Sequence, residues 1–356
     1  NFMTNYIIRR LLMVPLLLIG VTLIIFGMLQ LLGPVERSAL YVRDFPKNDK
    51  QIQGIITRYG LDKPFLTQYG IWLFGVKDPV SGERDGGILF GDFGYSRTAS
   101  QDVIDIVKNR FPNTVDLALW TVFPMLSVGI WLGVKAAVNQ NKFIDQAARV
   151  YSIIGTSFPT FVFGLLLLML LYAGPQYFMP GKMSDWVSQI VFAGGIRQYT
   201  HLLSIDALLN LRFDIFWDAM RHMIMPILTL SYINWATYVR VTRSSMLETL
   251  RMDYVTTARA KGLSEQTVIN QHARPNAMLP IVTMAGSSIV GLLGGVVITE
   301  TVFNYPGIGK AAADAAANLD VVTVLGLAIF SGSILIVSNL IVDVVYAFID
   351  PRVRLA

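Results

Sequence analysis

Six apolar segments punctuate the chain, each near the roughly 20 residues a helix needs to cross a bilayer. They run Leu11–Leu32, Asn113–Val138, Val150–Ala173, His222–Val241, Ala277–Thr299 and Val321–Ile349. The pattern predicts an all-α integral membrane protein with six transmembrane helices. Gly33-Pro34 is expected to end the first helix. The apolar core of a cleaved signal peptide is only about 7–15 residues and precedes small residues at the cut site. Leu11–Leu32 is longer, and Gly33–Glu36 offers no such site, so this helix is read as retained.

Between the first two segments lies Val35–Arg110, with eleven Lys/Arg against ten Asp/Glu. It reads as an extracytoplasmic lobe. A helix is expected over Gln51–Tyr59, and GLDKPFLTQYGIWL (Gly60–Leu73) reads as amphipathic, lying on the membrane face. Turns are expected at Lys77-Asp78-Pro79 and Asp85-Gly86-Gly87, and Asp92 with Gly94 reads as turn chemistry. The chain thus divides into a first helix (1–32), a lobe (33–112), a core of spans (113–349) with a polar loop at 243–276, and a tail (350–356).

Polar residues inside the segments refine the picture. Asp116 and Lys135 stand near opposite ends of the second span, where both can snorkel. Pro159 is expected to kink the third. The fourth is the most polar, with Thr229, Ser231, Asn234 and Thr237, and reads either as a pathway wall or as a helix bonded to its neighbours. In the fifth, Ser287, Gly291 and Gly295 recur every fourth residue and predict a bare face for close helix approach, which in a transporter would suit a moving seam between two subunits. Asp343 in the last span would cost about 2.5–3.5 kcal/mol at mid-bilayer. Arg352 and Arg354 near its inner end are expected to reduce that cost.

The composition agrees with a membrane protein: 53% hydrophobic and 15% charged, against about 25% charged in a soluble domain. Mean hydropathy is +0.52. The net charge of +5 is explained by topology rather than by nucleic acid, because the basic residues form no aromatic-interleaved stripe. With both termini cytoplasmic, the inner pieces collect Arg9, Arg10, Lys135, Lys142, Arg149, Arg240, Arg243, Arg251, Arg259, Lys261 and Arg274. The two later outer loops hold only Lys182, Arg197, Arg212 and Lys310, with Arg221 at a border. There is no cysteine, hence no thiolate chemistry. No G-x-x-x-x-G-K-[S/T] loop is present to cradle nucleotide phosphates. An intramembrane protease using Ser287 or Ser333 would need a base, and His222 sits only at a span edge. A gradient-driven transporter would want buried carboxylates along a route, and Asp343 is almost alone.

The polar loop carries the strongest signal. It reads DYVTTARAKGLSEQTVINQHARPNAMLP over Asp253–Pro280. Ala258 to Lys261 are helix formers, Gly262 suits a helix end, and Ser264 suits the next N-cap with Glu265 in its first turn. The loop resembles the cytoplasmic loop of bacterial ABC-importer permeases, whose loose pattern is E-A-A, three residues, G, nine residues, I-x-L-P. Ala258, Gly262 and Pro275 match it, while Thr256, Thr257, His272 and Arg274 depart from it. Tyr254–Glu265 is far more similar to the Y-V-x-T-A-R-A-K-G-L-S-E of the dipeptide, oligopeptide and nickel subfamily. FGDFGYS (Phe90–Ser96), the ETVFNYPGIG of Glu300–Gly309, in which Glu300, Phe303, Pro306, Gly307 and Gly309 fit, and the ending IDPRVR resemble the same subfamily.

That resemblance implies a type I importer permease in the bacterial cytoplasmic membrane. It implies a heterodimer with a second, homologous permease, two cytoplasmic ATP-binding subunits and an extracytoplasmic solute-binding protein. ATP and magnesium would sit on those ATP-binding partners, with no cofactor on this chain. Tyr254, Thr256, Thr257, Ala258, Arg259, Lys261, Gly262 and Pro275 would form the coupling loop. Peptides are the expected cargo, with oligosaccharides, nickel or glutathione as alternatives.

Overall fold

The computed structural model describes residues 2–43, 46, 48–77 and 84–349. Helix α1 (Phe2–Leu29) stops short of the expected Gly33-Pro34. Gln30, Leu31 and Leu32 each bond a carbonyl three residues back, a tightened last turn. Gln30 is also drawn off by polar partners, donating to Gln68 Oε1 at 3.1 Å and accepting from Arg37.

Residues 34–102 build the lobe from short helices, α2 (Pro34–Ser38), α3 (Asp49–Tyr59) and α4 (Phe65–Phe74). Asn48 caps α3 by accepting the Gln51 amide, which starts this helix two residues before the expected Gln51. Two short antiparallel ladders complete the lobe: β1 (Val76–Lys77) with β2 (Arg84–Asp85), and β3 (Tyr95–Ser96) with β4 (Gln101–Asp102). The expected turn at Lys77–Pro79 lies partly outside the described residues, whereas Gly86 and Gly87 turn the chain at positive φ. Gly94 donates its amide to Asp92 Oδ1 at 2.9 Å, as expected of a turn. The lobe docks on α1 through rings, with Phe26 centred 5.4, 5.5 and 5.2 Å from Phe65, Tyr69 and Trp72.

Helix α5 (Val103–Val138) begins well before the expected Asn113 and runs straight through Pro112. Its upstream face explains this: Val103, Ile106 and Val107 are buried against Ile308 and Leu327. The expected third span is instead two helices, α6 (Phe143–Ser157) and α7 (Thr160–Leu167), bent by 101°. Phe158 is extended before Pro159, which has no amide to continue the ladder. A π-helical turn, Leu168–Tyr172, follows. The connection that follows carries two short helices, α8 (Asp185–Phe192) and α9 (Leu203–Leu209).

Helix α10 (Phe213–Thr249) extends past His222–Val241 at both ends, because Ile215 and Ala219 at one end and Met246 at the other find buried contacts. Then come α11 (Asp253–Ala260), α12 (Glu265–Thr267), a π-helical segment Val268–Ala273 and α13 (Arg274–Ala277). The expected fifth span is cut short: α14 (Leu279–Leu293) ends at Gly294, and Gly295 at φ +100° turns the chain. Helices α15 (Val297–Val302), α16 (Ile308–Ala317) and α17 (Val321–Ile349) close the described chain.

Among the described residues, α1, α5 and α17 are each long and apolar enough to cross a membrane, and two bent pairs qualify as joined spans. Helix α10 has ample length, ~55 Å at 1.5 Å per residue, but a more polar centre. It packs parallel to α5. A Cβ added at Gly129 would lie 2.5 Å from that of Tyr238, and one at Gly133 would lie 2.5 Å from that of Thr242. Both partners advance by four residues, a small-xxx-small seam. Helices α1 and α17 run antiparallel, with Arg10 paired to Asp343 at 2.9 Å and Gly332 facing Val21.

Candidate functional site

The polar knob hangs from the ends of the two central helices. Val255 and Ala258 are one helical turn apart, and both are buried with Ala137 of α5, Met246 of α10 and Ala273 and Ala277 of the returning arm. The opposite face of α11 is exposed: Tyr254, Thr256, Thr257, Arg259 and Lys261 all reach solvent, as do Gly262 and Pro275. Of the expected coupling residues, Ala258 alone is an anchor rather than a contact. Gly262 stands at φ +81°, with nothing within 4 Å of an added Cβ. Only backbone conformation requires glycine there.

Polar bonds stiffen the knob. Arg259 donates Nε and Nη2 to the two carboxylate oxygens of Glu265, at 3.0 and 2.7 Å, and Nη1 to Leu250 O at 3.3 Å. That guanidinium holds the Glu265 carboxyl below its ordinary value. Ser264 accepts the Thr267 amide at 3.3 Å as the N-cap. Ser245 donates to Ala277 O at 2.9 Å, tying the returning arm to α10. Beside the knob, buried Asp145 accepts from Arg243, from Arg149 at 3.0 Å and from the Asn141 amide at 2.8 Å. This staple between α6 and α10 escaped the sequence reading. Its signal was a single carboxylate in the short stretch NQNKFIDQ (Asn139–Gln146).

The far end of α5 carries a second polar cluster. Glu300 is fully buried, with Oε1 accepting from Thr114 at 2.8 Å and Oε2 from the Lys310 amide at 2.8 Å. The Ile308 amide donates to Thr114 Oγ1 at 2.9 Å, and Asn113 donates to Pro306 O at 2.8 Å. A Cβ on Gly307 would fall on the Glu300 carboxyl, and one on Gly309 would lie 2.7 Å from the Val297 backbone. Phe303 is fully buried beside them. The outer-loop residues are therefore one knot. Asp116, expected to snorkel, is instead buried, and accepts from the Ser204 amide at 3.1 Å and from its hydroxyl. Its helix face turns toward α9 rather than lipid.

The remaining expectations divide. Asn234 donates to Leu230 O at 2.7 Å and Thr229 to Met225 O at 2.9 Å, within their own helix. Ser231 Oγ is buried with no hydrogen-bond partner. Bonds between helices come from Trp235 to Pro124 O at 2.6 Å and Tyr238 to Ser288 at 2.9 Å. Of the expected seam, Ser287 and Gly291 stay on an exposed face of α14, and Gly291 has nothing within 4 Å of an added Cβ. Gly295 has left the helix and instead approaches Gly309. Gly286 and Gly294 are the residues that meet α17, at Val342 and Leu335. His222, expected at a span edge, lies buried within α10 with Nδ1 2.8 Å from Asp218 O.

A helical membrane body with a polar knob seated under two long parallel spans defines a class, and comparison with known proteins agrees. The chain belongs to the family of binding-protein-dependent transport system inner membrane components. The family's main model matches residues 129–355 and its N-terminal model matches residues 3–118. The chain is 34% identical over 352 residues to the dipeptide transport system permease protein DppB of Escherichia coli (strain K12), covering 99% of each. It is 33% identical over 353 residues to the oligopeptide transport system permease protein AppB of Bacillus subtilis (strain 168), covering 99% of this chain and 100% of that one. It is 35% identical over 355 residues to the di/tripeptide transport system permease protein DppB of Pseudomonas aeruginosa (strain UCBPP-PA14), covering 99% of each.

Proposed function

We propose that the chain is the membrane-spanning permease subunit of an ATP-driven importer of di- and oligopeptides. Relatives named for dipeptides, di/tripeptides and oligopeptides, matched over nearly the whole chain, favour peptides over oligosaccharides, nickel or glutathione. The subunit binds no nucleotide itself. Two cytoplasmic ATP-binding subunits supply the force, a second homologous permease completes the pathway, and a binding protein delivers the peptide. The knob lies in the cytoplasm with both termini, and the lobe outside.

One observation carries the mechanism: α11 presents an exposed face while Val255 and Ala258 lock its other face onto Met246 and Ala137. A push on the knob therefore enters α10 and α5 together. Those helices are joined by the Gly129–Gly133 seam, and Asp145 ties α6 to them through Arg243. At the far end of α5, Asn113 and Thr114 hold Pro306 and Glu300. The α5–α10 pair acts as a lever between motor and outer knot, giving rigid-body alternating access. The structure adds buried carboxylates to Asp343, but each is already held: Asp343 by Arg10, Asp116 by Ser204, and Glu300 by Thr114 and the Lys310 amide, which disfavours a gradient-driven transporter.

The test is Gly262→Val in the assembled importer. A β-branched residue in the left-handed region is disfavoured by about 1–2 kcal/mol. Peptide uptake should fall about ten-fold, with stimulation of the ATPase by loaded binding protein lost as well. Unchanged uptake and stimulation would remove the knob from the mechanism.

A further inference from the structure

A cavity of about 400 Å³ opens between the lobe and the adjoining ends of α1 and α17. Its floor is hydrocarbon: Leu29 from α1, Ile71 and Trp72 from α4, and Val322, Leu325 and Ile329 from α17. Its rim is charged, with Arg43, Asp85, Asp92 and Asp102. Both α1 and α17 suit a membrane crossing, so the floor lies where spans give way to the lobe, at the bilayer boundary.

The surroundings point to lipid as the neighbour. Beside the cavity the lobe exposes Leu66 by 75%, Phe90 by 63% and Phe74 by 50%. Helix α1, on which α4 packs, likewise exposes Ile24 and Met28, with Leu31 exposed just past its end. A soluble surface rarely gathers such residues. Aromatic side chains such as Trp72 and Tyr69 are the usual occupants of the headgroup level.

The rim charges narrow the headgroup. Asp102 is met by Arg43 at 3.1 Å, and Asp85 by Arg58 at 2.8 Å and by the Tyr59 hydroxyl. Asp92 accepts the Gly94 amide and, among the described residues, has no ion-pair partner. Arg43 and Arg58 are thus each taken by a carboxylate, and Asp92 is the rim carboxylate left without an ion pair among the described residues. We propose that this cavity holds one phospholipid with a zwitterionic, amine-bearing headgroup. Its acyl chain lies on the Leu325–Ile329 floor, its phosphate meets Arg43, and its ammonium meets Asp92. An anionic headgroup would face the surplus carboxylate instead. The proposal is independent of the transport reading.

The test uses the full chain, purified in mild detergent from membranes containing phosphatidylethanolamine and phosphatidylglycerol, with retained lipid counted by native mass spectrometry. One phosphatidylethanolamine per chain is expected, preferred about five-fold over phosphatidylglycerol, the size of one headgroup charge contact. Asp92→Asn should bring the ratio close to one. Ile329→Trp should fill the floor and abolish retention. Should that variant fail to assemble, the Asp92→Asn ratio decides alone. Equal retention of the two lipids by the unaltered chain, a ratio untouched by Asp92→Asn, or a cavity occupied by protein rather than lipid would each overturn the proposal.

Discussion

Glu300 illustrates what one side chain can hold together. Its carboxyl accepts from Thr114 and from the Lys310 amide, and Gly307 leaves it room. Thr114→Val keeps the shape but withdraws a donor from a buried carboxylate, which costs about 1–3 kcal/mol. Thermal unfolding of the purified chain should register the loss as a lower Tm, and an unchanged Tm would mean that Thr114 does not support Glu300. Gly307→Ala should destabilise by a similar amount, about 1–3 kcal/mol, through overpacking. The motif was legible by resemblance, but its partner was not. Thr114 lies far away in sequence, and no local pattern marks it. Asp116 failed for a related reason. Distance from a span's end can be counted along the chain, but the side of the helix that meets α9 depends on the assembled bundle.

At the scale of elements, the spacing of apolar residues located the helices well and their limits poorly. Helices α5 and α10 outrun their apolar cores because neighbours bury their ends. The third and fifth spans break where Pro159 and Gly295 change the backbone. Small residues mark close approach without naming the partner, so the spacing alone did not separate a seam within the chain from a face left open for a second subunit. Gly129 and Gly133 face α10, whereas Ser287 and Gly291 face outward. Two substitutions separate these roles. Gly133→Val should drive α5 from α10 and lower yield and thermal stability, by about 1–3 kcal/mol or more. Gly291→Val should leave the single chain's stability intact while weakening co-purification with the second permease. If both variants behave alike, α14 offers no separate seam.

For the whole molecule, the lobe and first helix join the core through α17. Arg10 meets Asp343 at one end, and Ser96 donates to Asp320 at 2.6 Å near the other. The sequence had assigned Asp343 to Arg352 and Arg354, which lie outside the described residues, because partners were sought nearby. Half-exposed ion pairs contribute little in water, about 0–1 kcal/mol, and more where lipid limits solvation. Asp343→Leu should loosen α1 and raise protease access in the lobe. Charge exchange, Arg10→Asp with Asp343→Arg, should restore protection, and equal cleavage of all forms would deny the pair that role.

The Arg10–Asp343 contact also sets a calendar for biosynthesis. The ribosome delivers Arg10 long before Asp343, so helix α1 waits for that carboxylate until α17 has been made. Nascent chains arrested before α17 would keep their leading helix undocked in the bilayer, open to capture by insertion factors until the closing helix arrives.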